Sequence, residues 1–310
     1  MSGTESAPPD YDLVCPDPIA RSILREWLAG SRLVWPGRFR WSVSVSDRSP
    51  LEPDARPILR QPGVAIQAGP PSGTVRVEWE RAPAVGVIHS TLPAVELWLS
   101  PAARSDLRKA ERSFLLVILV FLLRRLGWYH VHGATLVDPA GRGWLLAGDS
   151  GSGKSTTSAL LASLGWGVSS DDIAFLVDRG SSVAARGFHS PIALRPGGQT
   201  LLGARSGLAL PDRRKEGYWP EELGGYWIGE VVPRVIGFPR SGDRTRLVAL
   251  PAGEVLSRLV TWSQWVLYEA MHAQENLDLL ARVTAQSRGY DVTLGPDLFA
   301  NPDLLMERTQ

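Results

Sequence analysis

Lysine is scarce in this chain: only Lys109, Lys154 and Lys215 occur, and the other members of its Lys/Arg set are arginine. A lysine inside a functional motif is therefore less open to chance than in an average protein. Cysteine is scarcer still. The single Cys15 excludes an internal disulfide, which fits a reducing cytoplasm. Net charge is nearly absent: a formal +1 at pH 7 removes any general attraction to nucleic acid or to an anionic membrane. Long apolar runs are missing too. The longest, Phe114 to Leu123, falls well short of the about 20 residues that cross a bilayer. It lies between Arg112 and the Arg124-Arg125 pair, so it reads as a buried helix. Residues 1–18 are acidic and proline-containing and lack the basic start and apolar core of a signal peptide. A soluble, cytoplasmic protein with no membrane and no nucleic-acid partner is the expectation. With five histidines, and no cysteine or glutamate at ligand spacing beside them, a zinc-type site is not expected. Internal repeats and low-complexity linkers are absent as well.

What is present suffices for two ordinary domains: 310 residues, 44% hydrophobic and 21% charged. Ile19, Ile23, Leu24, Trp27 and Leu28 recur at helical spacing. Alternation then marks strands at Trp41–Val45, Val75–Trp79 and Val95–Leu99, separated by Gly/Pro turns. Residues 1–105 read as a small β-rich domain, and 106–310 as a second domain that carries the chemistry. A helix is predicted from the Ser100-Pro101 cap signal to Gly127. Trp128–Val137 reads as a strand or strand pair, Asp138–Gly143 as a turn, and Trp144–Ala147 as a short apolar strand. Ser155–Leu164 reads as a helix ended by Gly165, and Gly167–Ser170 leads to Asp171-Asp172. Further on, Arg195–Gly198 and Tyr218–Trp227 look loop-like, Val231–Phe238 and Thr245–Leu250 strand-like, and Glu254–His272 and Asn276–Gln286 helical.

Gly148-Asp149-Ser150-Gly151-Ser152-Gly153-Lys154-Ser155, with Thr156 following, satisfies the phosphate-loop pattern in its required context, after a strand and before a helix. The glycines let backbone N–H groups curl into an anion-binding nest. Lys154 offers charge to the β- and γ-phosphates, and the Ser155 hydroxyl is placed for Mg²⁺ at the positive end of a helix. The bland alternative, a glycine turn with an incidental lysine, does not account for every fixed position. A nucleoside triphosphate, ATP with Mg²⁺, is the expected ligand. Asp171 and Asp172 lie one helix and one strand later. Two adjacent carboxylates there can divide the work of holding Mg²⁺ and accepting a hydroxyl proton, although alone they read as a solvated turn. His130 and His132 share one face of their strand, where either could orient an acid near the phosphates or simply pack.

Three stretches together resemble the catalytic core of HPr kinase/phosphorylase: His132-Gly133-x-x-x-Val137, Leu145 through Ser155, and Gly165-x-x-x-Ser-Ser-Asp-Asp172. More narrowly, the chain resembles the HPr-kinase-related proteins encoded beside lasso-peptide biosynthesis genes. The motifs cover roughly residues 110–200. The resemblance implies an α/β fold with a phosphoenolpyruvate-carboxykinase-like phosphate-loop core, not an all-parallel sheet, beside a smaller β-rich N-terminal domain. It implies phosphate transfer to a serine hydroxyl, with a precursor peptide's C-terminal region as partner. His132 then matches the family's active-site histidine, Asp171 the general base, and Asp172 with Ser155 the Mg²⁺ residues; Lys154 belongs to the catalytic set. One departure stands out. The family carries an acidic residue two positions before an Arg-Gly pair, and here Ala184 precedes Ala185-Arg186-Gly187, which puts the reverse, phosphorylase reaction in question. A catalytic arginine is expected in the last third, with Arg234, Arg240, Arg244 and Arg246 as candidates.

Pro196-Gly-Gly-Gln199 resembles the transporter-ATPase signature, but it follows the loop too closely and no apolar strand ending in Asp-Glu comes after it. Of the twelve tryptophans, Trp41, Trp79 and Trp98 fall on alternating strands and are expected in the core. Tyr218-Trp219 and Tyr226-Trp227 lie where a peptide could dock on aromatics, or where a satellite cluster packs. Two rivals to peptide phosphorylation remain: a kinase for a small hydroxylated molecule, and a non-catalytic ATP-binding accessory protein. A homo-oligomer is compatible with all three.

Overall fold

The computed structural model describes residues 11–35, 37–49, 59–61, 63–69, 73–201, 207–210, 214–301 and 304–307. The chain forms two compact units, one of residues 1–29 and 34–128, the other of 30–33 and 129–310.

The first unit contains β1 (Tyr11–Val14), α1 (Pro18–Gly30), β2 (Phe39–Val45), β3 (Leu59–Gln61), β4 (Val64–Gly69), β5 (Thr74–Trp79), β6 (Ala84–Ile88) and β7 (Ala94–Leu99). The strands form one sheet in the order β1-β2-β7-β6-β5-β4-β3. Alternation does what it predicts: Val75, Val77 and Trp79 are buried while Thr74, Arg76 and Glu78 between them stay partly exposed. Trp41, Trp79 and Trp98 are all core residues, and Trp27 of α1 meets Trp41 edge to face at 6.2 Å.

Beyond β7 the single predicted helix is broken. Ser100 does cap it, accepting the Ala103 N–H at 3.1 Å. However, α2 (Pro101–Ser105) gives way to a 3₁₀ turn at Leu107–Ala110 and a π turn at Glu111–Leu115 before α3 (Leu116–Arg124). Leu107, Ala110, Phe114 and Leu115 are all fully buried. The changes of pitch turn successive apolar sets inward, which one 3.6-residue stripe would not do. α3 packs on β5, β6 and β7, so residues 106–128 fall in the first unit instead of beyond a boundary at 105. Among the described residues, no helix is long and apolar enough to cross a membrane.

The second unit is a mixed α/β structure. In chain order it holds β8 (Trp128–Val137), β9 (Gly143–Ala147), α4 (Lys154–Ser163), β10 (Gly167–Ser170), β11 (Ile173–Asp178), β12 (Val183–Gly187), β13 (Ile192–Leu194) and α5 (Pro196–Leu201). Then come β14 (Leu208–Ala209), β15 (Glu216–Tyr218), α6 (Pro220–Leu223), β16 (Tyr226–Trp227), β17 (Glu230–Val231) and β18 (Pro233–Ser241). It closes with β19 (Arg246–Leu250), α7 (Ala252–Thr261), α8 (Ala273–Ala285) and β20 (Arg288–Leu294). The central sheet runs β17-β12-β11-β8-β9-β18-β20-β19, with β10 and β16 attached at β8. β9, β18 and β20 are parallel, β8 is antiparallel to β9, and β19 is antiparallel to β20.

Both faces of this sheet are covered, which is why β9 is buried at every position. Ala134, Leu136, Trp144 and Leu146 pack with Ala159–Ala162 of α4 on one side. Tyr129, Val131, Leu145 and Ala147 pack with Val255 and Leu259 of α7 and with Leu279, Leu280 and Val283 of α8 on the other. Two local expectations change. The stretch at 195–198 is not a plain loop, because Pro196 opens the short α5 and the Arg195 carbonyl accepts the N–H groups of Gly198 and Gln199. The helix predicted over 254–272 ends at Thr261, because the Trp262 carbonyl is bonded elsewhere: it accepts the His132 N–H at 2.8 Å.

Candidate functional site

Three parallel strands end on one side of the central sheet, and the glycine loop leaves the end of β9 there. Gly148 sits beside Pro239 of β18, and Gly153 beside Leu294 of β20. Gly151 and Gly153 have φ of 89° and 102°, left-handed values that strain any other residue. Gly153 caps α4, and its carbonyl accepts the Thr157 N–H at 2.8 Å. The Ser152 hydroxyl is buried with no hydrogen-bond partner among the described residues. A buried unsatisfied hydroxyl inside an anion nest is an observation of this chain that fits a phosphate oxygen.

Lys154 is itself buried. Its ammonium donates to the carbonyls of Gly148 at 2.7 Å and Asp149 at 2.9 Å, and meets His132 Nε2 at 3.3 Å. The other imidazole nitrogen, Nδ1, faces Asp172 Oδ1 at 3.2 Å. Burial pushes the imidazole below its ordinary pKa, against the pull of the Asp172 carboxylate, with the Lys154 ammonium pushing the same way as burial. A neutral ring fits both contacts, with Nδ1–H donating to Asp172 and Nε2 accepting from Lys154. Burial also lowers Lys154, opposed by Asp172, Asp171 and Asp149 and reinforced by Lys215. The result is a chain Asp172–His132–Lys154 drawn from the turn after β10, from β8 and from α4.

The two aspartates stand in opposite surroundings. The Ser170 hydroxyl accepts the N–H groups of Asp172 and Ile173, forming a tight turn that separates them. Asp171 is 3% exposed and accepts the Ala193 N–H from β13 at 3.1 Å. The Asp172 side chain is 58% exposed. Ser155 is half-buried in the first turn of α4, Asp149 and Ser150 are exposed, and Thr156 lies against Gly198 of α5. Mg²⁺ keeps waters and phosphate oxygens and needs only one or two carboxylates. Ser155 and Asp172 match that chemistry, and among the described residues no cluster of three or more His, Cys, Asp or Glu offers an all-protein cage. His130, the other candidate histidine, packs edge-on against Phe175 at 5.9 Å instead of meeting Lys154.

The strand register sorts the arginines. Arg234 lies at the start of β18, where Pro233 pairs with Gly143, at the far end from the loop. Arg240 lies at the loop end, bonded to Thr293 at 3.2 Å and paired with Asp291 at 3.3 Å. Arg246 pairs with Thr293 across β19 and β20, and Arg244 abuts Gly295, so both also belong to that end. At the altered signature, Ala184 is fully buried and Arg186 pairs with Glu230 at 2.5 Å, as Arg179 does. Glu230 was not marked by the sequence; only strand pairing places it opposite Arg186.

Gly187 was also missed as a structural determinant. Its N–H donates to Ser169 Oγ at 2.8 Å, and a Cβ there would stand 2.0 Å from the Ser169 carbonyl oxygen. Gly187→Ala should therefore cost about 3 kcal/mol by forcing β12 away from β10. Urea unfolding measures this, and a change below about 0.5 kcal/mol would contradict the close approach.

Among the suspected docking aromatics, Tyr218 is buried and its hydroxyl donates to Glu216 at 2.8 Å, with burial pushing its pKa up to about 12. Trp219 stacks on His189 at 4.6 Å, and Trp227 meets the same ring edge-on at 5.2 Å. Tyr226, 46% exposed, keeps an open face.

The fold and the loop together define a strand–glycine loop–helix arrangement in a mixed α/β unit. No protein-family model matches the sequence, and no curated protein matches it either. Among solved structures, the chain is similar to the Hpr(Ser) kinase/phosphatase from Coxiella burnetii, with 11% identity over 58% of this chain and 94% of that one. The TM-score is 0.30, too low to bear on fold or mechanism.

Proposed function

We propose that the second unit is an ATP- and Mg²⁺-dependent kinase that phosphorylates a serine hydroxyl, on the C-terminal region of a lasso-type ribosomal precursor peptide in the cytoplasm. The observation that carries the reading is the Asp172–His132–Lys154 chain with a second, buried carboxylate, Asp171, beside it. Simple nucleotide binding needs the lysine and the glycine loop, but neither a proton acceptor nor a histidine that orients an acid.

In this reading the loop N–H groups, Ser152 and Lys154 hold the phosphates. Asp171 accepts the serine proton as the serine oxygen forms its bond to the γ-phosphorus and the bond to the β-phosphate oxygen breaks, releasing ADP. Ser155 and Asp172 would hold Mg²⁺, which when bound would supply charge neutralisation on the phosphate oxygens. His132 keeps Asp172 oriented through Nδ1–H. Arg240, Arg244 and Arg246 lie at the loop end, where an arginine would meet the transferring group. Serine and the peptide class come from the motif resemblance carried by His132-Gly133, the loop and Asp171-Asp172.

The test is incubation of the full chain with Mg-ATP and a precursor peptide carrying a C-terminal-region serine, followed by mass spectrometry. The reading expects one added phosphate on that peptide and none on its serine-to-alanine form. Phosphate appearing only on free hydroxylated metabolites would favour a small-molecule kinase, and ATP binding with no transfer to any acceptor would favour an accessory role.

A further inference from the structure

Two buried polar atoms of the second unit lack partners within one aromatic cluster. His189 is 8% exposed, and its Nε2 has no hydrogen-bond partner among the described residues. The Trp227 indole N–H is buried and unpartnered there as well. Trp219 stacks on the imidazole at 4.6 Å, and Trp227 meets it edge-on at 5.2 Å. The Arg32 guanidinium lies 5.6 Å from the centre of the Trp227 ring. Burial, then the Arg32 charge, push the imidazole below its ordinary pKa, against Glu221 and a hydrogen bond to the Gly30 backbone. The ring is therefore neutral at pH 7, with Nδ1–H given to the Gly30 carbonyl and a bare lone pair at Nε2. The surrounding backbone is pinned. Among the described residues Arg32 is the one non-glycine with positive φ, at 50°, and the buried Ser31 before it accepts the His189 N–H at 3.0 Å.

The cluster adjoins the paired aspartates. The Phe188 N–H bonds the Ile173 carbonyl at 3.4 Å, and His189 and Asp172 each lie one residue from that bond. Trp227 pairs with Val168 of β10, the strand that leads to Asp171. Trp219 follows Tyr218 of β15, which pairs with Ile192, the residue before the Ala193 that bonds Asp171. Buried donors and acceptors ordinarily have partners, so an unpaired set beside a candidate site calls for something that supplies the pairing. One bare acceptor and one bare donor in a single cluster match a peptide main chain, which carries one N–H and one C=O per residue. Aromatic walls suit the same occupant. Both atoms are covered, so that occupant has to turn a side chain aside. Trp219 is half-buried, and Glu222 fixes its backbone twice, accepting its N–H at 2.9 Å and donating to its carbonyl at 3.0 Å. Its ring can swing while the chain stays in place.

We infer that the main chain of the acceptor peptide docks on this cluster, at residues flanking the serine, with a peptide N–H donating to His189 Nε2 and a peptide carbonyl accepting from Trp227 Nε1. This rests on the peptide-kinase reading, and the two fail by different measurements. The probe is the serine peptide that takes phosphate in the transfer assay, used with the full chain. His189→Phe and Trp227→Phe each keep a ring in place and remove the polar atom. Each should raise KM for the peptide about tenfold, with kcat and KM for Mg-ATP within about twofold. A peptide series in which single amides flanking the serine become esters gives a readout that a packing defect would not move. One ester should weaken binding to the unaltered protein about tenfold and add no further loss in His189→Phe. Unchanged peptide KM in both variants, or the same ester loss in His189→Phe, would overturn the docking and leave the kinase reading intact, with bound water satisfying the two atoms. An ester series without any selective loss would overturn it too, and needs no variant to fold. No transfer to any peptide by the unaltered protein would overturn both. Circular dichroism melting of each variant checks its folding.

Discussion

Lys154→Met is expected to lower affinity for Mg-ATP by about 100-fold or more. Losing one charge-assisted hydrogen bond to phosphate costs about 1.5–3 kcal/mol, and an ammonium that exchanges two of its present partners for β- and γ-phosphate oxygens makes two. Methionine is the informative replacement because it keeps the buried stem that the loop closes around. The structure adds a second term. The Gly148 and Asp149 carbonyls and His132 Nε2 all lose their donor when the ammonium goes, so the loop conformation is itself weakened. Arginine should not rescue, since its planar fork does not fit three donors diverging from one nitrogen. Calorimetry with Mg-ATP measures the loss, and affinity within threefold of the unaltered protein would remove nucleotide binding from this loop.

Asp171→Asn is expected to reduce phosphate transfer about 1,000-fold while ATP affinity stays within about threefold. Asparagine keeps an acceptor for the Ala193 N–H, so β13 remains anchored and the change isolates the loss of a proton acceptor. The companion Asp172→Asn should behave differently. It lies at the exposed end of the chain to His132, so its loss should raise the Mg²⁺ concentration needed for half-maximal rate. Single-turnover rates measured across Mg²⁺ concentrations distinguish the two. If both variants lost rate alike with the same Mg²⁺ dependence, the separate roles given to these neighbours would be refuted.

The parts of this chain that could be read directly are those whose cause is local. Val75–Trp79 alternates because one face of β5 is buried, and Gly148–Ser155 declares itself because the loop's backbone demands glycine at Gly151 and Gly153. Asp171 and Asp172 were visible as a pair, but their unequal exposure was not, since it depends on β13 returning to cover one of them. Non-local causes defeated the pattern elsewhere. The helix predicted up to Gly127 breaks so that Leu107, Ala110, Phe114 and Leu115 all reach one core. The helix at Glu254 stops where β8 takes its carbonyl. Gly187 read only as part of an Arg-Gly pair, whereas its necessity comes from Ser169, which no spacing reveals.

The bond from the His132 N–H to the Trp262 carbonyl has a temporal meaning as well as a spatial one. The ribosome emits the glycine loop long before it emits Trp262, so a nascent chain ending near residue 250 holds the loop and the strands around β8 but lacks the carbonyl that takes the His132 N–H. On the proposed function, the growing polypeptide would gain the glycine loop before the last backbone bond to the histidine that orients its acid, so binding would precede competence for transfer.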